Sequence, residues 1–177
     1  YNQYFDTENK QIDSKYVTSS YFRSFPIFAL AARTPFKIKN FKNNLIYTPK
    51  VELVLAPGMS NSNKLSNEDS SISSYTIANN SDLNRYSGND KLDNSKRLNL
   101  SFNIKNNILN GTIWTAYEFT NNSNYHYSQG NEKKLSDILG AINLTKNKYH
   151  SSYNLRFDPH ENYMKNQSID FEFQNNV

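Results

Sequence analysis

The sequence alternates apolar and polar residues over seven stretches, separated by gaps rich in asparagine and serine. Side chains alternate across a strand with period two, so each stretch predicts a β-strand with one apolar and one polar face. No amphipathic helix of useful length competes with this pattern. The clearest stretch places Leu98, Leu100, Phe102 and Ile104 on one side. The predicted strands are Val17 to Phe36, Leu45 to Ala56, Arg97 to Lys105, Ile108 to Phe119, Asp137 to Thr145, Tyr149 to Asp158 and Ser168 to Gln174.

Two features interrupt this pattern near the start of the chain. Tyr1 to Lys15 is polar, and we expect a loop there. Pro49 lies inside the second predicted strand, where it removes one hydrogen-bond donor from the ladder. We therefore expect a bulge or a local irregularity at Pro49.

The connections between the predicted strands run short, long, short, long, short and medium. Strands joined in series alternate in direction, so the short turns share one end of the sheet and the long loops share the other. Barrels of the bacterial outer membrane show this asymmetry, with short turns inside and long loops outside. The connections are residues 37–44, 57–96, 106–107, 120–135, 146–147 and 159–166.

Two architectures produce strands of this kind. A soluble β-sandwich turns its apolar faces inward, whereas a membrane barrel turns them toward lipid and turns its polar faces toward a wet lumen. The predicted strands are mostly about 9 to 11 residues long, enough to cross the apolar layer when tilted, whereas sandwich strands typically have about five or six residues. Aromatic residues near strand ends suit an interfacial girdle; they are Phe36, Phe119, Tyr149 and Phe157.

We therefore predict an all-β fold, an antiparallel up-and-down meander of about seven long strands that forms a partial wall of a large transmembrane outer-membrane β-barrel. The 177-residue chain begins at Tyr1, and we expect residues 1–177 to be a fragment of a single β-barrel domain. A long extracellular loop is expected at 58–96 and a second loop at 120–135.

Composition excludes several classes of protein. No apolar run approaches the roughly 20 residues of a transmembrane helix. Mean hydropathy is −0.82, which a barrel tolerates because half of each strand and all of its loops are polar. The net charge of +4 is scattered, whereas a nucleic-acid interface normally needs a clustered basic stripe, so no nucleic-acid partner is expected. The absence of cysteine excludes disulfides and thiolate metal sites within this sequence.

Motifs for catalysis are missing from the sequence. There is no nucleophile elbow, no phosphate-binding glycine loop and no zinc-protease helix motif. His126, His150 and His160 are far apart and lack metal-ligand spacing. We expect neither an enzyme nor a cofactor.

The loop between the second and third predicted strands is rich in Asp, Asn and Ser, which stabilise turns through side-chain-to-backbone hydrogen bonds. Gly88 permits a positive φ there. Asp69, Asp90 and Asp93 offer oxygen ligands for a cation, but their spacing is not that of a calcium loop. The better prediction is an ordered loop that bonds to itself and holds no metal.

Two arginines lie on the polar faces of predicted strands. Arg97 and Arg156 could bind an anion, or they could form a salt-bridge ladder inside a lumen. The candidate acidic partners in such a ladder are Glu52, Glu118, Asp170 and Glu172. Positive and negative charges on these faces are roughly balanced, so composition does not indicate an anion channel.

Five motifs follow one another along the chain. They are a Pro-Lys-Val strand at Leu45 to Pro57, Asn-Glu-Asp-Ser at Asn67 to Ser70, Asn-Arg-x-Ser-Gly-x-Asp-Lys at Asn84 to Lys91, a Ser-Asp strand opening at Leu135 to Gly140 and Tyr-x-x-Arg-x-Asp at Tyr153 to Asp158. In this order they resemble the C-terminal barrel domain of the LptD family (also called OstA or Imp), the lipopolysaccharide-assembly proteins of the outer membrane. Ser66 and Lys91 depart from the usual Pro and Arg of that family.

The resemblance implies a fragment of a very large barrel of about two dozen strands in the bacterial outer membrane. The family receives lipopolysaccharide through a periplasmic domain that lies outside this sequence and meets the periplasmic lipopolysaccharide-bridge components. It releases the lipid into the outer leaflet through a lateral opening, and a lipoprotein plug fills the barrel. The implied partners are lipopolysaccharide, the plug, the bridge components and the membrane.

The resemblance also assigns expected roles to individual residues. We expect the lumen, shared with the plug and passing sugar headgroups, to be lined by Lys50, Glu52, Arg97, Asn99, Asn154 and Arg156. We expect structural roles around the loop motifs for Pro49, Pro57, Asn67, Glu68, Asp69, Ser70, Arg85, Ser87, Gly88 and Asp90. The loop 58–96 is expected to cap the barrel or to fold into it.

Two rival functions stay open from the sequence. One is a different outer-membrane barrel, such as a porin-like channel or an adhesin translocator, which would lack the plug. The other is a soluble β-sandwich that binds carbohydrate, with Trp114 and the tyrosines as stacking surfaces. A sandwich requires a second sheet and apolar rows that meet across a core.

Overall fold

A computed structural model describes residues 2–12, 15–38, 44–56, 61, 69–72, 75–120 and 133–174. Among these residues, no helix is long and apolar enough to cross a membrane. The strands are β1 (Asn2–Ile12), β2 (Lys15–Ser24), β3 (Phe28–Arg33), β4 (Phe36–Ile38), β5 (Leu45–Leu55), β6 (Ser71–Ile72), β7 (Tyr86–Ser87), β8 (Lys96–Lys105), β9 (Leu109–Glu118), β10 (Ile138–Lys146), β11 (Tyr149–Asp158) and β12 (Tyr163–Phe173).

One antiparallel sheet dominates the fold. Its order is β12-β11-β10-β9-β8-β5-β3, and β4 pairs with β5 next to β3. Neighbours in this sheet are mostly neighbours in sequence, as in a meander built from hairpins. The predicted all-β class and antiparallel meander are confirmed.

The prediction for the start of the chain was wrong in two respects. The expected loop at Tyr1 to Lys15 instead contains β1, which pairs with β2 in a separate two-stranded sheet. The hairpin of β1 and β2 forms through backbone pairing. Because the sequence of β1 is mostly polar, it lacks the alternation of apolar and polar residues that would have predicted a strand. The single strand expected from Val17 to Phe36 is divided into β2, β3 and β4, with breaks at Pro26 and Pro35, because proline cannot donate to a ladder.

The irregularity expected at Pro49 lies beside it and not within β5. The pairing of β5 with β8 keeps one register through Pro49, so no bulge occurs in that ladder. On the other side, the Thr34 amide donates to the Pro49 carbonyl over 3.3 Å, in the break between β3 and β4. The Pro49 nitrogen, which has no hydrogen to donate, therefore lies beside the break between β3 and β4, where no strand requires that hydrogen bond.

The last hairpin is tighter and its strand longer than predicted. The expected loop 159–166 is a turn of four residues, Pro159 to Asn162, and Asn162 adopts a φ of 54°. The strand expected from Ser168 begins at Tyr163. A register shift opposite Arg156 and Phe157 inserts Lys165, and this bulge disrupts the alternation that would have indicated the strand.

The two faces of the main sheet are solvated in the opposite way to those of a soluble protein. Polar residues on one face are buried, among them Glu52, Arg97, Asn99 and Glu118. Apolar residues on the other face are exposed, among them Val51, Leu100, Phe102, Ile113, Ile142, Ile169 and Phe171. The apolar rows therefore do not meet across a core in the described part of the chain, which contradicts the β-sandwich.

The polar face is covered by part of the loop that follows β5. We call residues 69–72 and 75–95 the strap; it includes the short pair β6 and β7. Two small apolar clusters fasten it, one of Tyr75, Trp114, Ala116 and Leu139 with Ile77 beside them, and one of Phe25, Ala56 and Leu92 with Ile27 beside them. The core of the described structure thus lies between the strap and the main sheet, which we call the wall.

Candidate functional site: the strap-covered polar face

The polar row of β5 and β8 begins with Lys50 and Glu52. The Lys50 Nζ atom lies 2.6 Å from a Glu52 oxygen and donates to Ser81 Oγ of the strap over 3.3 Å. Asn99, which pairs with Glu52 across the two strands, donates to Glu52 Oε1 over 2.9 Å. These three residues, expected to line a lumen, form one hydrogen-bonded row whose lysine contacts the strap.

Arg85 is the ionic centre of the strap. Its guanidinium donates to both Asp93 oxygens, and Nη2 lies 3.2 Å from Glu118 Oε2 on β9. Arg97 of β8 reaches the same Asp93 carboxylate, with Nη1 3.3 Å from Oδ2. All four side chains are buried, and two positive charges face two negative charges. Burial of this network is tolerable because its members neutralise one another.

The salt-bridge ladder considered for Arg97 has different partners from those expected. Besides Asp93, Arg97 donates to the Asp82 carbonyl, so the strap supplies both partners. Glu118 bonds to Arg85 instead, and it also accepts a hydrogen bond of 2.6 Å from Ser95 Oγ. The network therefore joins a loop to a wall.

The motif at 84–91 is held in shape by Asp69. The Asp69 carboxylate accepts the backbone N–H groups of Asn89 and Asp90, each over 3.0 Å, and the Asp69 amide donates to Asp90 Oδ2 over 3.0 Å. Ser70 Oγ accepts the Lys91 amide over 2.9 Å. The backbone donors of Asp90 and Asn89 lower the pKa of Asp69 below its ordinary value of 3.8. We call these contacts the Asp69 knot.

Gly88 is required where the knot closes. It adopts a φ of +79°, and a Cβ atom there would lie 2.5 Å from the Asp69 carbonyl oxygen. Ser87 adds a contact of 2.7 Å between its hydroxyl and that of Ser71, across β6 and β7. The loop therefore bonds to itself.

Sequence reasoning missed two residues that hold the backbone of residues 89–92. Arg23 of β2 donates to the carbonyls of Asp90 and Asn89 over 2.8 and 2.7 Å. The Asn61 side chain bonds both backbone groups of Leu92, over 2.9 and 2.8 Å. Both side chains bond to backbone groups. Because every residue has such groups, the sequence does not indicate which of them a distant side chain will bond.

The other half of the polar face, on β10 to β12, is more open. Arg156 donates to the Tyr75 carbonyl of the strap, and its Nε lies 3.9 Å from Asp137 Oδ2. Lys165, placed by the bulge, lies 3.1 Å from Asp137 and 2.9 Å from Asp158. A cavity of about 410 Å³ lies between this half and the strap, lined by Tyr75, Thr76, Ile77, Leu139, Gly140, Asn154, Leu155, Arg156, Asn166 and Ser168.

The six residues expected to line a lumen thus lie on one face but in two settings. Glu52, Arg97 and Asn99 are buried, and Lys50 is partly exposed beside them. Asn154 is exposed and borders the cavity with Arg156. Of the loop residues, Pro57, Asn67 and Glu68 lie outside the described residues.

In the described ranges, no group of three or more His, Cys, Asp and Glu side chains could hold a metal ion. The buried charged side chains around Arg85 form ion pairs, and the cavity is lined by amide, hydroxyl and guanidinium groups together with the apolar side chains of Ile77 and Leu139.

Comparison with known proteins identifies a family. Residues 1–176 match the model of the family LptD, described as LPS transport system D. No curated protein matches the chain.

Proposed function

This chain belongs to the LptD family, LPS transport system D, and from this we propose that it forms part of the outer-membrane translocon that inserts lipopolysaccharide into the outer leaflet. Its long strands would cross the membrane as a section of a large barrel wall. The apolar face would contact lipid, and the strap would lie on the lumen side of the wall. The strap's parent loop, 58–96, would lie at the extracellular end.

The observation that carries this proposal is the open apolar face. Leu30 is 75% exposed, Ile169 76% and Phe171 69%, and many smaller exposures accompany them. Each such side chain forgoes about 1.5–3 kcal/mol that burial away from water would provide. Over a whole face this sum is as large as the roughly 5–15 kcal/mol stability of a domain. Lipid supplies the missing apolar surroundings.

Aromatic contacts at both ends of the strands support the same placement. At the short-turn end, Tyr47 stacks on Phe36 and Phe102 with ring centroids 4.9 and 5.7 Å apart. At the long-loop end, Tyr117 and Phe119 contact edge to face at 5.1 Å. The amphipathic rings of tyrosine prefer the two membrane–water interfaces, so Tyr47 and Tyr117 fit two aromatic girdles around an apolar band.

The polar face then has two roles in transport. The network around Arg85 and Glu52 would hold the strap in place, while Asn154 and Arg156 would meet sugar headgroups or the plug through the open cavity. An outer-membrane lipoprotein plug and the periplasmic bridge components are the proposed protein partners. They are inferred from the family match.

A porin-like or translocator barrel is the rival that a test must separate. The full-length protein should enter the outer membrane as a heat-modifiable barrel, co-purify with a lipoprotein and be required for lipopolysaccharide to reach the cell surface. Insertion without a lipoprotein and with normal surface lipopolysaccharide would instead support the rival. A water-soluble folded product would contradict any membrane barrel.

A further inference from the structure

The open apolar face contains a trough centred on two glycines. Gly111 of β9 pairs with Ile142 of β10, and Gly140 of β10 pairs with Ile113 of β9, so the glycines lie diagonally on adjacent strands. The trough has a volume of about 170 Å³. It is lined by Phe102, Ile104, Gly111, Thr112, Ile113, Gly140, Ala141, Ile142, Tyr153 and Leu155.

The walls of the trough converge over the glycines. A Cβ atom at Gly111 would lie 2.9 Å from Ile104 Cγ2, and one at Gly140 would lie 2.9 Å from Leu155 Cγ. Side chains from β8 and β11 therefore lean toward the bare backbone of β9 and β10. The depression depends on glycine at these two positions, because any larger residue would have to displace the side chain of Ile104 or Leu155.

The size and the lining of the trough select its occupant. A dry cavity of about 150 Å³ lined by Leu, Ile and Phe binds benzene, so this trough has room for a hydrocarbon segment of similar size. It is smaller than the roughly 300 Å³ of a typical ligand pocket. A lipid acyl chain fits, and the trough is continuous with the lipid-facing surface.

Charge at one end of the strands identifies the kind of lipid. Ile104 is the next-to-last residue of β8, and Gly111 is the third of β9, so this part of the trough lies near the short-turn end. Lys146 continues the apolar row of Ile142 and Leu144 and is exposed at that end, about 13 Å from Ile142 along the strand. Other exposed lysines of the short-turn end are Lys37, Lys105 and Lys148.

We propose that the trough holds one acyl chain of an anionic phospholipid whose phosphate pairs with Lys146. The lipid belongs to the leaflet on the short-turn side, the one opposite the leaflet that would receive lipopolysaccharide. This inference rests on the membrane placement in the proposed function. It adds a specific lipid site on the outer surface of the wall.

The test compares two paired positions of equal height in the full-length protein. Tyr153 lines the trough, and Ile169 is its partner on β12 outside the trough. Each is replaced in turn by the photocrosslinking residue p-benzoylphenylalanine, in vesicles of phosphatidylcholine with a minor share of phosphatidylglycerol. Mass spectrometry of the adducts should show phosphatidylglycerol enriched several-fold at position 153 and present at its bulk share at position 169.

Lys146→Gln should abolish the enrichment, and Lys37→Gln, at the same end but on β4, should leave it unchanged. Adducts of bulk composition at both positions would overturn the lipid site and leave the membrane placement standing. Lipid adducts at neither position would overturn the placement itself.

Discussion

Arg85 and Glu118 connect the strap to the wall across 3.2 Å, and each side chain is only 3% exposed. One residue comes from a loop and the other from the end of β9, so this pair fixes the position of the loop on the sheet. Asp93 and Arg97 complete the network and keep it neutral. A buried network of this kind adds little net stability but specifies one arrangement, because any mispaired charge is costly.

Removing one member should release the strap. Glu118→Gln leaves two buried arginines, Arg85 and Arg97, with one buried carboxylate, Asp93, and loss of one partner from a buried network costs about 3–5 kcal/mol. In the full-length protein, hydrogen exchange and protease cleavage within residues 75–95 should accelerate strongly, while the barrel stays folded.

The matched control is Glu161→Gln, which breaks the exposed pair between Lys133 and Glu161 at 2.9 Å. An exposed pair contributes about 0–1 kcal/mol, so exchange in the strap should stay as in the wild type. Equal behaviour of the two variants would refute the network as the fastener of the strap.

Gly88→Ala should open the Asp69 knot. A side chain in the left-handed region costs about 1–2 kcal/mol, and here the new Cβ would also lie 2.5 Å from the Asp69 carbonyl oxygen. We expect faster cleavage at 84–91 than in Ser87→Ala, which loses hydroxyl contacts at the neighbouring exposed residue. Equal cleavage rates in the two variants would contradict the requirement for glycine at position 88 in the Asp69 knot.

The knot should also weaken in acid. Because the folded-state pKa of Asp69 is lowered from 3.8, the folded knot binds fewer protons than the open loop. Its contribution to stability is therefore complete above about pH 3.8 and is lost as the pH falls through the folded-state pKa. Protection factors of the Asn89 and Asp90 amides should fall over that window, and Asp69→Asn should remove the dependence. A dependence that survives in Asp69→Asn would have another source.

The main sheet was predictable from the sequence because one of its faces is apolar and exposed and the other is largely polar and buried, so its strands alternate. The alternation of Leu98, Leu100 and Phe102 with polar residues is enough to predict the apolar face from the sequence alone. The hairpin of β1 and β2 was missed, since backbone pairing without an apolar row has no periodic signal. The strand position of Lys165 is not predictable from the sequence, because the bulge at this residue disrupts the period of two.

The attachment of the strap was beyond sequence reasoning for a different reason. Asp93 was considered as a cation ligand, and its partners Arg85 and Arg97 come from a loop and a strand with no common spacing. Arg23 recognises two carbonyls far along the chain, at Asn89 and Asp90. Long-range pairing of side chains with backbone depends on the tertiary fold and leaves no local pattern.

The most direct test of the account asks which medium each face of the wall meets. Ser168 and Ile169 are adjacent on β12, both exposed, and point to opposite faces. The described sequence has no cysteine, so Ser168→Cys and Ile169→Cys add one thiol each to this part of the full-length protein. In the membrane-inserted protein, a charged water-soluble thiol reagent should label Cys at position 168 and spare position 169, and a lipid-soluble reagent should label position 169. Labelling of both positions by the charged reagent would contradict a lipid-facing apolar wall.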